Sequence, residues 1–211
     1  MYKILLFGPQ GAGKGTQAER LAKRLGLPAM SMGQLLREAQ KKLVGTELGA
    51  LIEDITTNGG LVPDYVALDV LKVRLQEPDA VNGYIIDGYP RNIEQYKAYI
   101  AFDQPTHVMM IELADDEAIK RLAGRRTCKG CGKIYHVDFD RPKAENICDA
   151  CGGELIQRAD DRPEAIAKRL GIYHHETEPM AAEFAKMGVL HRIDGRGTID
   201  EVEEEIKKVI T

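Results

Sequence analysis

A glycine-rich turn between an apolar run and a helical pattern constrains this chain more than any other feature. The run at residues 4–7 leads directly into Gly8-Pro-Gln-Gly-Ala-Gly-Lys14-Gly-Thr16, which has the spacing G-x-x-x-x-G-K. Glycines let the backbone curl until its N–H groups face an anion, and a helix that begins near Lys14 adds the positive end of its dipole. The pattern predicts a strand, a phosphate-binding loop and a helix.

Lys14 and Thr16 give this loop its chemistry. The lysine ammonium reaches the outer phosphates of a nucleotide, and the Thr16 hydroxyl suits magnesium or a phosphate oxygen. Gly15 stands where the usual signature has Ser or Thr, so the hydroxyl comes one residue later. A dinucleotide-binding turn is the alternative, but such a turn has no use for a lysine inside it. The loop therefore favours a nucleoside triphosphate as ligand.

Composition argues against several classes of protein. The 211 residues are 44% hydrophobic and 29% charged, which fits one compact domain with one or two small inserted lobes. No apolar run approaches the roughly 20 residues of a membrane span, and the first residues lack the layout of a signal peptide. We expect a cytoplasmic protein without membrane attachment. The net charge of −4 argues against nucleic acid as a partner, so phosphate affinity must come from locally grouped Arg and Lys.

Apolar runs alternate with amphipathic stretches along most of the chain. Strands are predicted over residues 4–7, 29–31, 84–87, 107–113 and 189–193. Helices are predicted over residues 14–25, 33–42, 47–58, 63–76, 92–100, 115–123, 162–186 and 199–209. This alternation predicts an α/β fold with a parallel sheet flanked by helices on both faces, and ligands at the carboxyl ends of the strands.

The four cysteines fall in one segment, residues 127–157, that lacks a helical period. They form two C-x-x-C pairs separated by 16 residues, namely Cys128, Cys131, Cys148 and Cys151. This spacing favours a closed zinc site of four thiolates, which is structural because it leaves no open coordination position. Two disulfides and a nucleic-acid-binding zinc ribbon are the alternatives. Five acidic residues against four basic ones in the segment argue against the ribbon.

A second motif is an apolar strand that ends in an acid, Tyr84-Ile-Ile-Asp87-Gly-Tyr-Pro-Arg91. The carboxyl ends of parallel strands meet at one edge of a sheet, so Asp87 is expected beside the phosphate loop. There its carboxylate suits magnesium bound through water. An Asp that only caps a turn is the alternative, and the nearby phosphate loop favours the magnesium role.

With these motifs the chain resembles the adenylate kinase family, in its bacterial form with a long, zinc-bearing lid, over essentially its whole length. Further matching pieces are Gln95, Gly124-Arg-Arg126, Tyr135-His136, Arg158-Ala-Asp-Asp161, Arg169-Leu170, Tyr173, Glu176-Thr-Glu-Pro179 and Asp194-Gly195. The resemblance implies a P-loop kinase fold with a five-stranded parallel sheet. It also implies a core of residues 1–30, 63–124 and 162–211, a helical monophosphate-binding lobe at 31–62 and a zinc-bearing lid at 125–161.

The resemblance implies reversible, Mg²⁺-dependent phosphoryl transfer from ATP to AMP, giving two ADP, by a monomer that carries structural Zn²⁺. The catalytic residues it implies are Lys14, Arg91, Arg125, Arg158 and Arg169. The ATP-binding residues it implies are Gly11, Ala12, Gly13, Lys14, Gly15, Thr16, Arg121, Arg125, Ile134, Tyr135 and Gly197. The AMP-binding residues it implies are Met32, Arg37, Gly60, Leu61, Val62, Gly88, Tyr89, Pro90, Arg91, Gln95, Arg158 and Arg169. Asp160 and Asp161 are expected to anchor the lid or pair with its arginines.

The sequence departs from the family pattern beside the expected acceptor base. Met32 and Gln34 stand where the family commonly has Thr and Asp, and Gly60 replaces a larger, often basic residue. A thioether cannot replace the hydrogen bond of a hydroxyl. A nucleoside monophosphate kinase that prefers another base is therefore one alternative, and a non-catalytic nucleotide-binding or zinc-ribbon protein is another. Retention of Lys14, Asp87 and the arginines argues against the non-catalytic protein.

Overall fold

A five-stranded parallel β-sheet lies at the centre of the computed structural model, which describes residues 1–58 and 60–210. The strands in chain order are β1 Tyr2–Phe7, β2 Ala29–Ser31, β3 Gly83–Asp87, β4 His107–Glu112, β5 Arg125–Cys128, β6 Ile134–His136, β7 Leu155–Ile156 and β8 Leu190–Asp194. The central sheet has the order β2-β3-β1-β4-β8, and every pair in it is parallel. The predicted sheet is confirmed.

Helices cover both faces of this sheet. Their bounds are α1 Lys14–Leu25, α2 Met32–Lys42, α3 Glu47–Thr57, α4 Asp64–Leu75, α5 Ile93–Phe102, α6 Asp115–Ala123, α7 Pro163–Ile172, α8 Ala181–Lys186 and α9 Ile199–Val209. Alternate side chains of β1 enter opposite cores, since Leu5 and Phe7 pack in one apolar cluster and Ile4 and Leu6 in the other. Burial on both faces explains why the strand reads as an uninterrupted apolar run.

The prediction of one continuous helix over residues 162–186 is wrong. Helix α7 ends at Ile172, and a π-helical turn, Tyr173–Thr177, and a 3₁₀ turn, Glu178–Met180, separate it from α8. Pro179 lies in the interruption, where it has no N–H to donate and its ring excludes the carbonyl one turn earlier. Buried residues recur at helical spacing through the interruption. The sequence therefore shows no sign that the helix ends at Ile172.

The cysteine segment forms its own antiparallel sheet, in the order β6-β5-β7. Arg126 pairs with Tyr135 across β5 and β6, and Cys128 pairs with Leu155 across β5 and β7. These strands are two to four residues long, too short to show an alternating pattern. The sequence therefore indicated a lobe without a helical period but not its sheet.

Two of the predicted domain ranges include a residue outside those described. Residue 59 belongs to the predicted monophosphate-binding lobe, and residue 211 ends the predicted core. Within residues 1–58 and 60–210, each helix is too short or too polar to cross a lipid bilayer.

Gly8 is required by a close approach of two backbones. Its φ is +136°, and a Cβ there would overlap the carbonyl oxygen of Ile111. We expect Gly8→Ala to lower the free energy of unfolding by about 3 kcal/mol or more, because strain and a backbone clash add. Gly26→Ala is the matched control, since Gly26 also has a positive φ, +65°, but open space around it. It should cost about 1 kcal/mol. Urea unfolding measures both, and equal losses would contradict this explanation.

Candidate active site

A cavity of about 1350 Å³ lies at the carboxyl ends of the parallel strands. Its wall includes the loop after β1, Ser31 at the end of β2, Asp87 at the end of β3 and Gly197 after β8. In open parallel sheets ligands bind at this edge, because the loops that follow the strands converge there. The topology places the cavity where the sequence predicted a ligand.

The loop between β1 and α1 leaves a helix N-terminus open to an anion. Gly13 occupies the N-cap position of α1, so no side chain accepts from the first N–H groups, and the first turn contains no acid. Lys14 Nζ donates to the carbonyl oxygens of Gly8 and Pro9 at 2.8 and 2.7 Å. Free N–H groups, the helix dipole and an ammonium therefore converge at one point, as phosphate binding requires.

Cationic side chains from six parts of the chain surround the same cavity: Lys14, Arg37, Arg91, Arg125, Arg158 and Arg169. Burial lowers the pKa of Lys14 to about 8; Arg91, Arg169 and Arg125 add to the effect, and Asp87 opposes it. Burial and neighbouring arginines likewise lower the pKa of Arg158 to about 9. Such shifts reflect first the cost of removing a cation from water and second the repulsion between like charges. A polyphosphate bound among them would remove that cost.

Asp161 anchors two of these arginines. Its buried carboxylate accepts from Arg125 Nε at 2.8 Å and also from Arg125 Nη2. Arg169 Nη1 lies 3.1 Å from a carboxylate oxygen of Asp160 and 3.5 Å from one of Asp161. Asp161 thus pairs with Arg125 of the cysteine segment, whereas Asp160 pairs with Arg169 of α7, outside that segment. These bonds connect β5 to α7 and hold both guanidinium groups at the cavity wall.

Neutral oxygen atoms hold two more of the arginines. Arg91 Nε donates to the Gly88 carbonyl at 2.8 Å, and Arg158 Nε donates to Thr127 Oγ1 at 2.8 Å. Gly88 has a φ of +81°, and a Cβ there would lie 2.9 Å from Arg91 Nη2. A neutral acceptor orients a guanidinium without cancelling its charge, so both groups keep their positive charge for a phosphate.

Asp87 faces the beginning of α1. A Cβ on Gly15 would lie 3.7 Å from Asp87 Oδ2 and 3.8 Å from Ile134 Cδ1 in the cysteine segment. The carboxylate, the phosphate loop and the segment predicted as a lid therefore meet at one point. Together with the hydroxyl of Thr16, Asp87 offers the hard oxygen ligands that Mg²⁺ prefers.

The four cysteine sulfur atoms lie within 4.8 Å of one another. Cys128 Sγ is 3.4 Å from Cys151 Sγ, and Cys131 Sγ is 3.6 Å from Cys148 Sγ. Tetrahedral Zn²⁺ with Zn–S bonds of about 2.3 Å requires sulfur atoms about 3.8 Å apart. The donor set and its spacing fit zinc, and all four thiols are free.

Tyr135 belongs to the apolar core of the cysteine segment. Its ring packs with Leu155 and two of the cysteines. The Tyr135 hydroxyl lies 3.5 Å from Cys148 Sγ and accepts from the Asp149 N–H at 2.8 Å. The hydrogen bond with Tyr135 lowers the pKa of the Cys148 thiol. The Gly153 N–H acts in the same direction on Cys151, but hydrogen bonds with the other cysteine sulfurs raise the pKa of that thiol overall.

The other predicted contacts divide into two groups. Those at the cavity wall include Gly11, Gly13, Gly15, Thr16, Met32, Gly60, Leu61, Val62, Gly88, Pro90, Gln95, Arg121, Ile134, Tyr135 and Gly197. Arg121 donates to Glu117 and to the Gly195 carbonyl, both at 3.0 Å, so it connects α6 to the loop after β8. Ala12 and Tyr89 are not part of the wall. Their side chains pack in the two apolar clusters of the core instead.

Sequence reasoning missed several residues that shape the site. Thr127 holds Arg158, and Thr177 Oγ1 donates to the Arg91 carbonyl at 2.6 Å. Gln10 lines the cavity, and its buried Oε1 has no partner among the described residues. In the sequence, Gln10 was visible as part of the loop and Thr177 as part of Glu176-Thr-Glu-Pro179, but neither was assigned a role. The bonds of Thr127 and Thr177 span 31 and 86 residues, so no local pattern reports them.

The open helix N-terminus, the lysine inside the loop and the acid at the neighbouring strand end define a P-loop nucleotide-binding protein. The sequence profile described as adenylate kinase matches residues 6–189. The chain belongs to the adenylate kinase family.

Relatives with the same description match along nearly the whole chain. An adenylate kinase of Methanosarcina barkeri is 44% identical over 212 residues, covering 98% of this chain and 97% of the relative. One of Pelobacter propionicus is 42% identical over 212 residues, covering 98% of this chain and 96% of the relative. One of Archaeoglobus fulgidus is 41% identical over 212 residues, covering 98% and 97%.

The lowered pKa of Lys14 predicts proton uptake on ligand binding. At pH 8 about half of the Lys14 side chains are uncharged in the free protein, and a bound triphosphate keeps all of them charged. ATP binding at pH 8 should therefore take up about half a proton, and at pH 6.5 this group should contribute almost none. Calorimetry in buffers of different ionisation enthalpy measures the uptake. Lys14→Arg keeps a permanent charge, so the same uptake in that variant would contradict the assignment.

Proposed function

We propose that this protein catalyses reversible, Mg²⁺-dependent phosphoryl transfer from ATP to AMP, giving two ADP. The observation that carries the proposal is the convergence of six cationic side chains and an uncapped helix N-terminus on one cavity. The matching family and its relatives support the same reaction. Neither a general base nor a covalent enzyme intermediate is required, because the acceptor phosphate is already an anion.

The donor nucleotide binds at the phosphate loop. Backbone N–H groups of residues 11–16 cradle its phosphates, and Lys14 leaves the carbonyls of Gly8 and Pro9 to reach the outer ones. Asp87, through water, and Thr16 would hold Mg²⁺, which supplies charge neutralisation at the phosphate oxygens. Arg121, Ile134, Tyr135 and Gly197 belong to the wall where the rest of ATP would lie.

The acceptor binds on the side formed by α2 and the loop after β3. Arg37 and Arg91 grip its phosphate, since a planar guanidinium can make two parallel bonds to an anion. Met32 and residues 60–62 line the space for the base, and the amide of Gln95 contacts its polar edge. Gly88 permits the folded position of Arg91.

Arg125, Arg158 and Arg169 lie around the group in transfer. An oxygen of the acceptor phosphate forms a bond to the γ-phosphorus while the bond between the γ-phosphorus and the β–γ bridging oxygen breaks. Negative charge therefore spreads over the oxygens of the transferred phosphoryl group. Guanidinium groups already oriented by Asp161 and Thr127 stabilise that charge without reorganising.

We propose that residues 31–62 act as the monophosphate-binding lobe and residues 125–161 as a lid on a core formed by 1–30, 63–124 and 162–211. The lid carries Arg125 and Arg158, so its closure completes the cationic shell and excludes water that would otherwise accept the phosphoryl group. The four thiolates would hold structural Zn²⁺. We expect a monomer.

The acceptor assignment is tested with four monophosphates. With MgATP, ADP formation should be fastest with AMP and slower by at least about tenfold in kcat/KM with CMP, UMP and GMP. Met32 is buried in the apolar wall with Leu36 and Val62 and offers no hydroxyl, which makes the comparison necessary. A higher kcat/KM with another monophosphate would assign the enzyme to that base. Formation of no diphosphate with any acceptor would refute the proposed function.

Metal removal should unfold the lid before the core. A structural zinc site contributes about 10 kcal/mol of apparent folding free energy in small modules, and the lid core contains few apolar side chains besides the cysteines. We expect one zinc per chain by elemental analysis, and faster amide hydrogen exchange over residues 127–157 after chelation, with β1 and β4 unchanged. Unchanged exchange in the lid, or no bound metal, would contradict this assignment.

A further inference from the structure

The amide of Gln95 is held at both of its ends. Gln95 lies in the first turn of α5, is 2% exposed and contributes to the cavity wall. Its Oε1 accepts from the backbone N–H of Arg91 at 2.9 Å. Its Nε2 donates to Asp64 Oδ1 at 2.9 Å. The two bonds leave one N–H of Nε2 and one lone pair of Oε1 for other partners.

Both partners allow only one orientation of this amide. A backbone N–H can only donate, and an ionised carboxylate can only accept. Turning the Gln95 amide by 180° would place its oxygen against the carboxylate of Asp64 and its NH₂ against the N–H of Arg91. Both bonds would be replaced by repulsion in a buried place, where unpaired polar groups are costly.

Asp64 is itself fixed by a second amide. Asn92 Nδ2 donates to the same oxygen, Asp64 Oδ1, at 2.8 Å, while Asn92 Oδ1 accepts from the backbone N–H of Gln95 at 2.8 Å as the N-cap of α5. Asp64 is the first residue of α4. A closed network thus joins the beginnings of α4 and α5, and neither amide can turn without breaking bonds to Asp64.

The orientation decides which base edge Gln95 can read. A 6-aminopurine presents an acceptor, N1, beside a donor, the 6-amino group, and a 6-oxopurine presents the reverse, N1–H beside O6. Arg91 provides both the backbone N–H that holds this amide and the guanidinium proposed to hold the acceptor phosphate, so the pose of the base relative to the amide is limited. With the base so placed, an amide held in one orientation can pair with the N1 acceptor and 6-amino donor of a 6-aminopurine. In the same orientation it opposes the N1–H and O6 of a 6-oxopurine.

We propose that Asp64 is a positioning residue that fixes the Gln95 amide and so makes the acceptor site select 6-aminopurine over 6-oxopurine monophosphates. The inference rests on the proposed function only in taking this side of the cavity as the acceptor site. Met32 offers the base no hydrogen-bonding group of its side chain beyond a weak sulfur acceptor, whereas the Gln95 amide offers both a donor and an acceptor.

The test compares AMP with IMP in binding and in turnover. Calorimetry without ATP gives the two dissociation constants, and steady-state assays with saturating MgATP give kcat and KM for each acceptor. In Asp64→Ala the amide can rotate, so the preference for AMP over IMP should fall at least about tenfold in both measurements. In turnover the change should appear in KM and not in kcat. The KM for ATP should stay the same.

Two variants serve as controls. Asp64→Asn keeps an oxygen that can accept from both amides, so its preference should stay within about threefold of the parent protein. Asp69→Ala removes an exposed acid from the same helix and should leave the preference unchanged. A preference that survives in folded Asp64→Ala, or one lost equally in Asp69→Ala, overturns the proposal.

Folding is checked by thermal unfolding of each variant. If Asp64→Ala does not fold, Asn92→Ser replaces it, because serine keeps a cap for α5 but removes the second donor to Asp64. The preference should then fall several-fold, and an unchanged value overturns the inference. Binding that prefers AMP, with no ADP formed, would refute the proposed function and leave the role of Asp64 intact.

Discussion

Mutual repulsion among cations that share one desolvated cavity is the constraint on which the rest of this structure depends. Two unit charges 4 Å apart repel by about 4 kcal/mol at an effective dielectric constant of 20, and Lys14 shares the cavity with eight arginines, among them Arg37, Arg91, Arg125, Arg158 and Arg169. Three acids, Asp87, Asp160 and Asp161, offset part of this cost. The neutral oxygens of Thr127 and Gly88 orient two arginines without neutralising them. In the free protein the cavity therefore keeps an excess of positive charge, which a bound polyphosphate would neutralise.

The scaffold meets this constraint by drawing its cations from separate elements. A single helix or strand cannot direct six long side chains at one point, but the loops at the carboxyl edge of a parallel sheet converge there. Gly8 lets the phosphate loop pass against β4 without a side chain between them, since a Cβ would overlap the Ile111 carbonyl oxygen. The short sheet of the cysteine segment adds Arg125 from outside the central sheet, held to the base of α7 by Asp161.

Local patterns in the sequence predicted most of the fold and the nature of the site, and the contacts between distant residues were beyond them. The apolar runs predicted the five parallel strands. The glycine loop and the paired cysteines predicted a phosphate-binding loop and a metal site, because each of these features is defined by the spacing of a few residues. The break after Ile172 escaped notice because its side chains keep an amphipathic pattern through the π-helical turn. The Thr177 bond to Arg91 spans 86 residues and left no trace in spacing or composition.

The network around Gln95 shows why such distant contacts matter for specificity. Charge complementarity at the phosphates cannot distinguish one base from another, since every monophosphate presents the same anion. Discrimination therefore requires a donor and an acceptor in a fixed order at the base edge. An amide supplies both on one planar group but has two orientations of nearly equal shape. The Asp64 carboxylate and the Arg91 backbone N–H remove that ambiguity, because each can act in only one sense. A charged group that never touches the base can in this way determine which base is read.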